Sequence, residues 1–224
     1  MIQSTNYHVT INGITPLIMH NDNLSWAENM QEWGKDPNNK KLSVAGDDRT
    51  PAWRWIGYLY WNNDAVCIPA DNLMTMLREG GAKCPTGKRG GTYKRQTQSG
   101  LIVNEAGWTL NTPKGIITKE QIEPLINNSS MEEQERVAKE LGFMLFIKRA
   151  KIGQNKHVRV RPRFDSWSAQ GSILVLDETI TEDILKTILT LSGQLCGLCD
   201  WRPSSPKAPG SFGKFDVKVR KEGK

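Results

Sequence analysis

The sequence predicts an α+β fold, a sheet with helices on one face plus inserted loops and a basic arm, from three observations. Two-residue alternation of apolar residues marks strands near both ends of the chain, and apolar residues at helical spacing mark amphipathic helices at about 70–79 and from Thr181 to near Gly193–Gly197. The order of these elements is strand, helix, two strands, helix, strand. That is the ferredoxin-like order, the scaffold on which RNA-recognition modules are built.

The elements follow in turn. Tyr7 to Asn12 alternates and meets Gly13 and Pro16, a first strand and its exit. Residues 21–50 are polar and carry turn signals at Asp36-Pro37 and Gly46-Asp47-Asp48, so they form a long loop or partly helical insertion. Ala52 to Trp61 is too aromatic to be solvated. Ala65 to Ile68 is a short buried strand, and Pro69 opens a helix through about Glu79 that Gly80-Gly81 should stop. Lys83 to Gly100 holds four glycines and reads as a flexible hairpin or loop. Leu101 to Val103 and Trp108 to Leu110 are strand-like, 118–141 holds polar helices around Pro124, and Phe143 to Ile147 runs apolar into a basic stretch. Val158 to Ser168 and Ser172 to Leu176 should form a hairpin about Gln170-Gly171. Thr181 then caps an amphipathic helix, and Phe212 to Val219 alternates as the last strand.

At 224 residues the chain can bury a core without disulfides, and one domain spanning 1–224 with insertions at about 21–66 and 83–141 is expected. Four cysteines are too few for a disulfide scaffold, so reduced thiols are expected. No apolar run reaches the roughly 18 residues of a membrane span, and Ile2 to Thr15 reads as a strand rather than a leader. A cytoplasmic protein with no membrane partner is the expectation.

Charge is more informative. The net charge is only +6, yet Lys148 to Arg163 holds seven Lys or Arg and no acid, and Lys83, Lys88, Arg89, Lys94 and Arg95 form a second acid-free segment. These two segments take 12 of the 30 basic residues, leaving 18 against 24 acids elsewhere. Concentrated positive charge is the footprint of a polyanion binder. In a strand, Arg159, Arg161 and Arg163 fall on one face with His157, while Val158, Val160, Pro162 and Phe164 fall on the other. The repeat of roughly 6.6 Å suits an extended polyanion. Tyr93 and Trp201 stand beside cations and could stack bases, with Tyr93 accessible and Trp167 buried.

Other motifs carry less. Cys196 and Cys199 have metal-ligand spacing, but no second pair lies near them, and they close a helix where redox pairs open one. Gly81 to Arg89 fails as a phosphate loop, because Arg89 stands where Ser or Thr must hold magnesium. Neither a metal nor another cofactor is expected. His20 is a weak candidate for a general acid or base.

Ile68 to Arg78 (IPADNLMTMLR) resembles the strand-to-helix entry of the RAMP superfamily, which includes backbone subunits of CRISPR effector complexes. Thr15 to Asn21, Arg161 to Trp167 and Gly197 to Pro203 through Phe212 to Phe215 resemble segments of bacteriophage proteins of RAMP-like appearance. The resemblance implies a modified RNA-recognition fold that holds single-stranded DNA or RNA by its backbone and lines up side by side as a homo-oligomer or filament. A phage-encoded chain would act in the host cytoplasm.

Together these readings set the expectation of a sequence-tolerant single-stranded nucleic-acid-binding protein and not an enzyme. Its ligands would be Lys83, Lys88, Arg89, Tyr93, Lys94, Arg95, Lys148, Arg149, Lys151, Lys156, Arg159, Arg161, Trp201 and Arg202. Arg161 and Arg163 could instead pair with Asp165 or the C-terminal loop, which leaves Arg159 and the 148–156 stretch as the safer phosphate ligands. The rivals are a metal-independent ribonuclease using His20 and a module binding an acidic protein.

Overall fold

Alternation in Thr5–Gly13 turns Tyr7, Val9 and Ile11 to the core, and this strand, β1, is an interior strand of the main sheet. The computed structural model describes residues 4–87, 90–152 and 155–222; Lys88 and Arg89 lie outside the described residues, as do the side chains of 150–152, 155 and 156. After β1 come β2 (Leu17–Ile18), α1 (Leu24–Lys35), α2 (Pro37–Leu42), a 3₁₀ turn (Arg54–Tyr58), β3 (Trp61–Asn62), β4 (Ala65–Pro69) and α3 (Ala70–Gly81). Next are α4 (Lys94–Ser99), β5 (Leu101–Val103), β6 (Gly107–Thr112), β7 (Gly115–Ile116), α5 (Lys119–Ile122) and α6 (Met131–Glu140). The chain continues with β8 (Met144–Ile152), β9 (Asn155–Phe164), β10 (Ser168–Val175), α7 (Glu182–Leu191) and β11 (Phe215–Lys221).

The fold is α+β. In the main sheet the order β11-β1-β10 continues to β5 and β6, which both pair with β10, and every described pairing in it is antiparallel. Taking β1, β5, β10 and β11 as the four strands of the ferredoxin-like core, their spatial order is fourth, first, third, second. Between these strands, α3 and α7 supply the apolar cover: Leu73, Met76, Leu77, Leu185, Ile188 and Leu189 are all buried in one cluster with Val9 and Ile11. Thr181 caps α7, its hydroxyl accepting from the Ile184 amide.

Segments 14–64 and 104–167 are inserted into this core. Together they build a second, three-stranded sheet in the order β2-β9-β8, packed on the first through Trp55, Phe143, Val160 and Phe164.

Three local expectations are corrected. Val158 to Phe164 is not half of a hairpin with the strand that follows. It pairs with β8, from Met144↔Arg163 to Ile152↔Asn155, while β10 runs straight through Gln170-Gly171 as one strand. Gly171 is there because the Trp108 indole lies flat on it, 2.0 Å from where a Cβ would stand. Gly80 and Gly81 do not stop α3 but lie buried within it. Ser192, the C-cap residue of α7, presses its Oγ within 1.9 Å of a Gly80 Cβ position, so Gly80 permits a close helix crossing. The arm after α3 pairs as a hairpin, as one expected alternative had it, with the Tyr93 amide on the Cys84 carbonyl at 2.9 Å, but its second half is the helix α4 with Thr97 buried. Residues 21–50 resolve into α1 and α2, neither with a buried residue.

Candidate nucleic-acid interface

The β8–β9 register places Lys148 opposite Arg159, Phe146 opposite Arg161 and Met144 opposite Arg163, so these six side chains share one face. Val158 and Val160 share the other with Arg149 and Ile147. The alternation is as expected, but the arginine face is not a free one.

Each arginine of β9 meets a carboxylate. Arg159 Nη1 lies 2.9 Å from Asp48 Oδ1, and Asp48 is 1% exposed. The strand-like pairing of 46–48 on Val158 puts it there, with the Val158 amide on the Gly46 carbonyl and the Asp48 amide on the Val158 carbonyl. Asp48 also accepts from the Tyr58 hydroxyl at 3.1 Å and stands 3.6 Å from Arg54.

Arg161 is 8% exposed and lies 2.9 Å from Asp200, while its Nη2 donates to His20 Nδ1 at 3.2 Å. Its Nε and Nη1, like Asp200 Oδ2, are buried without a hydrogen-bond partner among the described residues, so the Asp200 contact is an ion pair rather than an aligned hydrogen bond. Arg163 pairs with Asp165 at 2.7 Å. Arg159 and Arg161 thus each face an internal carboxylate, which sets them apart from the unpaired cations of β8.

Trp201 is also committed. Its half-buried ring carries Lys148 Nζ 4.5 Å from the centroid and Arg161 at 5.4 Å, with Phe146 edge-on. Cys199 and Trp201 both hold positive φ, 59° and 51°, a conformation that side-chain-bearing residues adopt at a cost of order 1 kcal/mol. Those two bends aim Asp200 and Trp201 at the arginine face. Arg202 turns the opposite way, 3.2 Å from Glu79 of α3, and Ser204 bonds the same carboxylate. The C-terminal loop thus joins the hairpin to the end of α3, where the basic arm begins.

His20 sits inside this arrangement. Its ring meets Tyr58 edge-on at 4.8 Å. Burial, followed by the Arg161 charge, holds its pKa below the ordinary value. Because a guanidinium cannot accept, Nδ1 is the acceptor and the neutral ring serves to hold Arg161.

The remaining cations behave differently. Lys148 and Arg149 on β8, Lys83 after α3, and Lys94 and Arg95 on α4 are exposed, with no acid partner among the described residues. Tyr93 is half-buried and, with Thr86, Lys94 and Arg95, lines a concavity of about 620 Å³. Lys151 and Lys156 lie on the paired strands, their side chains outside the described residues.

Cys196 and Cys199 are buried free thiols whose pKa values burial pushes up to about 11 and about 12. Trp167 is buried, its indole donating to the Thr15 carbonyl.

Sequence reasoning gave Asp48, Asp200, Arg54 and Tyr58 no role beside the β9 arginines. Asp48 stands 111 residues from Arg159 in a polar stretch that reads as a turn. The usable signal was the acid-free character of the β9 stripe, since buried cations require anions from elsewhere. No family model matches the chain, and no curated protein matches it.

Proposed function

We propose that the protein binds single-stranded DNA or RNA through its phosphates, with little sequence choice, and lines up side by side along the strand. One observation carries this reading: each of the two acid-free segments exposes cations without an acid partner among the described residues, Lys148 and Arg149 in one and Lys83, Lys94 and Arg95 in the other, and the C-terminal loop links the two segments. A row of fixed cations releases counterions from a polyanion whatever its bases, which gives binding without sequence choice. The order of the four core strands is ferredoxin-like, the scaffold that the RAMP-like resemblance implies but that many other folds share. Arg159, Arg161 and Arg202 act as the rigid backing of this surface, and Tyr93 offers a ring beside the arm.

The test is a titration of a fluorescent single-stranded oligonucleotide at several salt concentrations. Several phosphate contacts give a steep fall of log K with log salt, close to one unit of slope per contact. A flat dependence overturns the proposal.

A further inference from the structure

The outer wall of the paired-arginine cluster encloses something the phosphate surface does not use. Arg54 and Tyr58, which touch Asp48 from one side, form with α1 a cavity of about 530 Å³. That lies within the range of roughly 300–1,000 Å³ usual for small-molecule sites. The rings that shape it are held in place before any ligand arrives. The Trp26 indole donates to the Arg54 carbonyl at 3.0 Å, meets Trp53 edge-on at 5.5 Å, and lies so close over Gly57 that a Cβ there would stand 1.9 Å from the ring. Tyr58 is anchored through its hydroxyl.

The charged groups of the lining are complementary to one kind of ligand. Arg54 is the cation, one-third exposed and only 3.6 Å from Asp48, so it has donors to spare for a phosphate. Asp22 is the carboxylate, exposed and without a hydrogen-bond or ion-pair partner among the described residues, an acceptor suited to sugar hydroxyls. Aromatic walls, one cation and one carboxylate match base, phosphate and sugar. Helix α1 buries no residue completely, and its partly buried Trp26, Met30 and Trp33 pack on the core while Trp26 and Met30 also line the cavity.

We infer that the cavity between α1 and the 3₁₀ turn is a nucleotide site, with the base on Trp26 and Tyr58, the phosphate on Arg54 and the sugar hydroxyls at Asp22. The inference rests on the reading of the protein as a nucleic-acid binder and deepens it, since the nucleotide can be one unit of a bound strand or a free monophosphate.

The test titrates adenosine monophosphate, adenosine and a single-stranded oligonucleotide into wild type, Ala27→Phe and Arg54→Gln by calorimetry, each variant checked for folding by circular dichroism. Ala27 is exposed at the cavity mouth, so Phe there blocks entry and leaves the rings in place. Expected is one saturable monophosphate site, weakened about tenfold by either variant, as loss of a stacked base or of a charged phosphate contact predicts. Adenosine should bind wild type more weakly than the monophosphate and bind Arg54→Gln about as well as wild type. Oligonucleotide affinity that falls in step with Ala27→Phe assigns the site to the strand. Oligonucleotide affinity that stays constant while the monophosphate is lost assigns it to the free nucleotide. Monophosphate that fails to bind wild type, or binds both variants unchanged, overturns the inference while oligonucleotide binding keeps the broader reading. Failure of wild type to bind oligonucleotide at low salt overturns the broader reading whatever the monophosphate does.

Discussion

Strands β8 and β9 lie side by side in one hairpin, and both are basic, yet their cations stand in opposite situations. On β9, Arg159, Arg161 and Arg163 each touch a carboxylate within 3 Å. On β8, Lys148 rests on the Trp201 ring and Arg149 reaches solvent, with no acid partner for either among the described residues. The difference shows that the sign of a charge does not assign its role. A cation paired with a buried anion holds segments together, and one left facing water is available to a ligand.

The comparison can be broken most forcefully at Asp48. Replacing it by Ala leaves Arg159, Arg54 and the Tyr58 hydroxyl without their shared acceptor, and should lower the unfolding free energy by about 3 kcal/mol in urea titration. A loss below about 1 kcal/mol, the range of an exposed pair, would mean that the β9 arginines are no more structural than those of β8.

The reverse case is the double variant Lys148→Ala, Arg149→Ala. Its unfolding free energy in urea titration should stay within about 0.5 kcal/mol of wild type. Oligonucleotide affinity should fall for all sequences alike, the salt slope dropping by about one unit per lost contact. A stability loss without a change in slope would reverse the assignment.

A smaller effect concerns pH. Because burial and Arg161 hold the His20 pKa below its ordinary 6.5, the folded state resists the proton that the unfolded chain accepts. The stability His20 contributes is therefore complete above about pH 6.5 and is lost as pH falls toward its folded value. His20→Gln retains an acceptor for Arg161 and removes the titration, so its stability should decline less between neutral pH and pH 5, as followed by thermal melting at about half-unit steps. Parallel declines would show that His20 does not feel Arg161. The smallest effect belongs to Arg163→Ala, which breaks a pair open to water and should cost less than about 1 kcal/mol.

The core was legible because its signals are local. Alternation in Tyr7 to Asn12 and helical spacing of Leu73, Met76 and Leu77 each fix a buried face within a dozen residues. The pairing of β9 was not legible, because alternation gives a strand's faces and not its neighbour. Gly171 misled for the same reason: a glycine in a turn and a glycine under an indole look identical until Trp108 is placed. At the candidate interface, the acid-free segments pointed to a basic surface, and Arg161 was correctly weighed as a partner of the C-terminal loop. Asp48 and Asp200 could not be found, since their roles depend on where distant insertions close. The cavity at Trp26 and Arg54 has the same origin, with its two walls on separate elements of one insertion.

The two carboxylates that hold the arginine face also bear on how the chain reaches its native state. Asp48 arrives from before α3 and Asp200 from after α7, so the hairpin is fastened from both sides by contacts that close very long loops. Such contacts are slow to form, and topologies rich in them fold in milliseconds to seconds rather than microseconds. The arginine face therefore depends on segments far apart in sequence meeting, which sets a larger entropy cost on its completion than on that of a locally closed element.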